Sequence, residues 1–217
     1  WKACDAQVGD DFQINPEEIE AKYFGVLTKL FNVARFASQF DVPDDLDSVP
    51  NQLPVEDRWI LSEFSDTMQK VEDSWTNLDI YTATQSLKTF GTGILPSHWL
   101  EMSKSRLYDG DTHAAWTIHR IVRDLMSALS PVCPFFTHHI SSTLYDVSAV
   151  DVRNFPARTP CEESLRELTN SIEEFNGTTW RMKKEAGLSL NTPISGIAIP
   201  DELTEFTAIL TQMHKLE

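Results

Sequence analysis

The side chains best suited to chemistry in this sequence are a scatter of cations and one aromatic, and they point to gripping a polyanion more than to breaking bonds. Lys29 and Arg35 decorate one segment of apolar periodicity, Lys104 and Arg106 lie just before a turn, and Arg120 and Arg123 sit off the apolar seam of another segment, beside His119. Long cationic side chains on helix faces reach phosphates, although a merely solvated face has the same pattern. Phe36 is more specific. It stands one residue from the seam position Ala37, hence about 100° round a helix, which leaves part of its ring outside the seam. An aromatic there, next to Arg35, is suited to stack an unpaired base, a contact worth about 1–3 kcal/mol. A core residue on a wide apolar stripe has the same signature, and both alternatives stand.

Other chemistries find little support. Six histidines include the pair His138 and His139, but helix neighbours point about 100° apart, and no His-x-x-x-His or carboxylate set offers ligand spacing. Cys4, Cys133 and Cys161 are odd in number and far apart, with no Cys-x-x-Cys pair, so reduced thiols are expected. No glycine-rich phosphate loop and no nucleophile elbow occurs, so neither catalysis nor a cofactor is expected within this chain. The formal net charge of -15 argues against a generally basic nucleic-acid coat. A polyanion partner must therefore meet a local patch, which works because charges are largely screened beyond about 8 Å. No apolar run approaches membrane-spanning length and no leader pattern is visible, so a soluble, cytoplasmic chain with no membrane partner is expected. Trp1 at the start suggests a piece of a longer protein.

The elements that must position these residues are helical. The longest runs from Asp111 to Tyr145, where Ala115, Ile118, Val122, Leu125 and Leu129 recur at steps of three and four, widened by Ile121 and Met126. Pro131 and Pro134 predict a kink in it, with Phe136, Ile140 and Leu144 resuming the period beyond. Asn15, Pro16, Glu17 and Glu18 mark a helix start, with a seam of Ile19, Tyr23, Leu27, Leu30, Ala34 and Ala37 running to about Phe40. Residues 41–54 read as a loop. A second helix buries Ile60, Phe64, Met68, Val71 and Trp75 and turns Asp57, Glu63 and Glu72 outward. A third buries Ile80, Ala83, Leu87, Phe90 and Ile94, loosens at Gly91, Gly93 and Pro96, and continues to about Tyr108. An irregular stretch follows Tyr145. A charged helix over 161–186 carries Leu165, Leu168, Ile172, Phe175 and Trp180, and the run at 188–199 reads as a two-stranded element before a last helix. The expected architecture is mainly α: residues 1–14 as the tail of a preceding region, an elongated helical bundle over 15–160, and a charged helix with a small α/β appendage over 161–217.

Five blocks then carry a family resemblance. KLFNVARF (29–36), DRWILSEF (57–64), SHWLEMSKSRLY (97–108), SALSPVCPFFTHHI (127–140) and AGLSLNTPISGIAI (186–199) resemble, in order and spacing, the anticodon-binding region of the valyl-tRNA synthetase family. Isoleucyl and leucyl enzymes share this bundle, but the blocks around Asn32 and Trp99 look more like the valyl form. Met102 to Ser105 match part of the family's Lys-Met-Ser-Lys-Ser loop for ATP phosphates, yet they lie in helical phase, Glu101 replaces the leading lysine, and no His-x-Gly-His partner occurs. That loop is therefore not expected here. The resemblance implies a parent enzyme that activates valine with ATP and charges tRNA(Val), with its catalytic and editing domains outside this chain. Its implied partner is the tRNA(Val) anticodon stem-loop. Phe36 and Leu100 match family positions that meet the anticodon loop, with Asn32 and Arg35 in support and Lys29, Lys104, Arg106, Arg120 and Arg123 as phosphate anchors. The bases are expected to unstack between the first helix and the third. The acidity, and His138 with His139 where the family often has acids, depart from the pattern. A helical protein-interaction module and the same domain of an isoleucyl-tRNA synthetase are the rival readings.

Overall fold

The computed structural model describes residues 1–7, 9, 15–147 and 155–217. Among them the chain is helical and contains no sheet. The Asn15 side chain caps a short turn, Pro16–Glu18, by accepting from the Glu17 amide, and a π turn, Ile19–Tyr23, leads into α1, Phe24–Ala37. Then come α2 (Val55–Thr76), α3 (Ile80–Thr89), a π stretch (Phe90–Trp99), α4 (Leu100–Tyr108), α5 (Thr112–Leu129) and α6 (Pro134–Tyr145). The chain closes with α7 (Glu163–Arg166), α8 (Thr169–Glu185) and α9 (Thr207–His214). None of these helices is long and apolar enough to cross a membrane.

The core follows the apolar periodicity closely. Leu30, Ala34 and Ala37 of α1, Ile60, Phe64, Met68 and Val71 of α2, and Ala83 and Leu87 of α3 are buried around α5. Ile118, Val122, Leu125 and Leu129 of α5 are all buried, and so are its polar Thr117, His119, Arg120 and Asp124. A helix enclosed on nearly every side must satisfy such groups internally. His119 does so between the Phe40 carbonyl, 3.1 Å away, and the Tyr145 hydroxyl, 3.2 Å away. The apolar cluster continues without interruption past residue 160: Ile172, Phe175, Leu203, Phe206 and Leu210 belong to it, and Phe206 packs edge-on against Trp59 at 6.3 Å. The first residues are also docked. Asp5 accepts from Lys22 and Tyr23 at 2.8 and 2.7 Å. Burial works against the Asp5 charge, but bonds from Lys22, Tyr23 and Gln85, with the nearby Lys88 charge, hold its pKa at about 2.

Four expectations are corrected. The prolines after α5 do not kink one helix: α5 ends at Leu129 and α6 starts anew at Pro134, because Cys133 sits outside helical space at φ -141°, ψ 66°. Asp57 and Glu63 do not face water, since both are buried on α2. The seam of the third helix begins later and shifts, with Ile80 exposed and Leu95 rather than Ile94 fully buried. The π stretch is the reason for the shift, since each π turn inserts a residue into the register. The two-stranded element at 188–199 is absent. That segment is irregular and makes one isolated parallel bridge, Ile194 with Leu216. Much of the irregular stretch after Tyr145, residues 148–154, lies outside the described residues, as do residues 8 and 10–14 of the expected tail.

Candidate nucleic-acid interface

Lys29, Asn32 and Phe36 lie three and four residues apart on α1 and therefore share one helix face. Ser97, Leu100 and Lys104 repeat that spacing across the end of the π stretch and α4. The two faces enclose a groove of about 510 Å³ that Trp180 of α8 and Leu190 also line. Gly91 lies where the π stretch packs against α1 and α5. A Cβ on it would stand 2.8 Å from a Leu30 methyl and 3.1 Å from a Leu125 methyl, so any larger residue crowds the contact of α1 with the π stretch and displaces those side chains.

Phe36 is half-buried at the groove wall. Its ring packs edge-on against Phe40 at 5.2 Å and against Tyr108 at 6.1 Å, and Tyr108 itself is 64% exposed. The cluster fixes the ring's orientation while leaving part of it open. Leu100 is only 6% exposed, so it forms apolar floor and does not project into the opening. Lys29 is exposed with no ion pair among the described residues, and Lys104 pairs with Glu101 at the rim.

The remaining cations go elsewhere. Arg35 lines a shallow cleft with His139 and Thr143 and is not among the groove-lining residues. Arg106 was expected to anchor phosphate, but its guanidinium is committed to carboxylates: Glu56 at 2.7 Å, Asp57 at 3.0 and 2.8 Å, and Asp111 at 2.9 Å. Asp57 also accepts from the Trp99 indole at 3.0 Å. Burial pushes the Asp57 carboxyl up, and Arg106 and Trp99 oppose that shift. Arg120 is 2% exposed and bonds Asp124 and the Leu46, Asp47 and Ala157 carbonyls, stapling two loops to α5. Arg123 pairs with Asp124 at 3.0 Å and Asp47 at 2.8 Å. All three arginines are already paired within the chain, where they hold the fold. A buried charge needs a partner, and intrachain carboxylates reach them first.

Trp180, expected on the apolar seam of the charged helix, and Leu190, within the expected two-stranded run, both line the groove instead. Trp180 follows the α8 seam by five residues, which in retrospect puts it off the buried stripe. Its ring lies against His98 at 5.7 Å and His214 at 5.8 Å. Buried Asn176 donates to His98 at 3.0 Å and accepts from His214 at 2.7 Å. Burial, aided by the Lys183 charge, lowers the His214 pKa to about 4, so this network is neutral near pH 7.

Taken together, the groove offers a fixed aromatic, an apolar floor and lysines at its rim. Such a site suits an unstacked base and its phosphate. Residues 57–198 match the family model described as the anticodon-binding domain of tRNA ligase. A valine--tRNA ligase of Saccharolobus solfataricus is 34% identical over 194 residues, covering 88% of this chain and 23% of that protein. Those of Pyrobaculum aerophilum and Aeropyrum pernix are 29% and 28% identical, covering 100% and 99% of this chain. The chain spans about a quarter of the length of these curated relatives.

Proposed function

Because this chain belongs to the anticodon-binding domain family of tRNA ligases, we propose that the groove between α1 and α4 receives unpaired nucleotides of the tRNA(Val) anticodon loop, within an enzyme that joins valine to that tRNA. One observation carries the reading to this groove: α1 and α4, some seventy residues apart, bring Lys29, Asn32, Phe36, Leu100 and Lys104 around a single opening. Paired A-form RNA hides its base edges in a deep groove, whereas loop bases splay out and stack on aromatic faces. Phe36 supplies the face, Leu100 the floor beneath it, Asn32 a hydrogen-bonding amide, and Lys29 and Lys104 the charge for the backbone. Valine specificity rests on the names of the relatives. ATP and valine would be handled by catalytic and editing regions elsewhere in the parent enzyme.

The experiment compares two reactions of the enzyme carrying this segment, with and without Phe36→Ala. Aminoacylation needs the tRNA, while valine-dependent ATP–pyrophosphate exchange does not. The expected result is a fall in aminoacylation with unchanged exchange. Equal losses in both, or no loss in either, would overturn the assignment, and charging of tRNA(Ile) in place of tRNA(Val) would move it to the isoleucyl enzymes.

A further inference from the structure

We propose that Trp180 is a second stacking platform and that the groove continues past it into a chamber for a neighbouring unpaired nucleotide of the same loop; this rests on the anticodon-loop reading above. The second chamber has a volume of about 450 Å³ and shares Glu101, Lys104, Trp180 and Leu190 with the first. Both volumes fall in the range of roughly 300–1,000 Å³ usual for small-ligand sites. Trp180 thus stands where the two openings meet.

Three features distinguish this indole from an ordinary half-buried aromatic. First, its orientation is fixed from behind, by the His98 and His214 rings and the buried Asn176 that links them. Second, the walls beyond it are pinned by one buried ammonium: Lys183 donates to the Leu190 carbonyl at 2.6 Å and to the His214 carbonyl at 2.7 Å. That bond pair holds Leu190 at the rim with 58% of its surface exposed, an apolar side chain placed beside the indole without a covering partner. Third, the far side presents Asn191, Gln212 and Lys215, all exposed, whose side chains make no hydrogen bond or ion pair among the described residues. Two free amides are the groups that read base edges in single-stranded RNA, and a free ammonium meets a phosphate. Across the two chambers the count is Lys29, Lys104 and Lys215 against Glu101, a local positive balance on an acidic molecule.

The test uses this chain and a fluorescein-labelled hairpin bearing the tRNA(Val) anticodon loop, with abasic replacements at each loop position. Trp180→Ala is expected to weaken binding by about 5- to 150-fold, the range for losing one stacked base, and Trp180→Phe to retain most of it. In Trp180→Ala one abasic position should cease to cost affinity, and that position should differ from the one that falls silent in Phe36→Ala. The double variant Asn191→Ala, Gln212→Ala should lose discrimination among bases at the Trp180 position. Should Trp180→Ala fail to fold, Trp180→Phe and the amide variant decide. If Trp180→Ala binds like the parent while Phe36→Ala is weak, the second chamber is refuted and the anticodon reading survives. Loss in both variants at the same loop position also refutes it, since Trp180 would then only wall the first site. Failure of the parent chain to bind the hairpin at all would overturn both.

Discussion

Replacing Arg106 by alanine should unfold the groove's foundation and leave no specific RNA phenotype of its own. The Arg106 side chain is 15% exposed, and its partners Glu56 and Asp57 are 6% and 0% exposed. Removing the guanidinium strands a buried carboxylate pair one residue apart on α2. Breaking such a pair costs about 3–5 kcal/mol, because the surviving charge can be neither solvated nor neutralised cheaply. For a chain of this length, each kcal/mol lowers the melting temperature by about 2–4 °C, so the expected fall is about 6–20 °C. The pH dependence has a definite sign. Without Arg106 the Asp57 carboxyl titrates in the folded state above its unfolded value, so the penalty is complete above the folded pKa, shrinks as pH falls below it, and is gone below the unfolded pKa. The deficit relative to the parent should therefore shrink in acid. Asp57→Asn in the Arg106→Ala background should recover part of the loss at pH 7. Thermal unfolding by circular dichroism at two pH values reads all of this. An Arg106→Ala protein that melts within about 2 °C of the parent, less than 1 kcal/mol on the same scale, but loses hairpin affinity would show that Arg106 contacts phosphate instead.

Gly91→Val should push α1 off the π stretch, lowering stability by about 1–3 kcal/mol through overpacking and weakening hairpin binding as the groove walls part; retained affinity would remove Gly91 from the account. The lowered His214 pKa gives a second pH signature. Its folded value of about 4 lies below the unfolded 6.5, so the unfolded state takes up the proton first and stability should fall between those values, by at most about 3 kcal/mol. Urea midpoints at pH 7 and pH 4.5 measure it, and His214→Gln should flatten the slope. Gly177 lies inside α8 with open space around a built Cβ, so Gly177→Ala should raise stability by about 0.5–1 kcal/mol. A loss would mean that α8 depends on a glycine there for a reason other than space.

What the sequence reveals of this protein follows the range of each signal. Steps of three and four place the buried faces of α1, α2 and α5, and the position of Phe36 beside Ala37 correctly leaves its ring half-open. Periodicity is local, however, and charge pairing is not. Asp57 looks like an outward acid because its partner Arg106 lies 49 residues away, and Arg120 looks like a surface cation because the carbonyls it binds belong to loops more than thirty residues distant on either side. The alternation at 188–199 resembles strands, but the backbone there is held by Lys183 and one bridge to Leu216 in place of a sheet partner. Trp180 reads as seam from α8 alone, whereas in the fold it is only half-buried and lines the groove.

RNA entry between α1 and α4 is read out by backbone amide shifts as the chain is titrated with an anticodon stem-loop. The largest changes are expected over residues 29–36 and 97–104, with those around Arg120 unmoved. Changes confined to the cleft of Arg35 and His139, or equal changes with a stem lacking the loop, would contradict it.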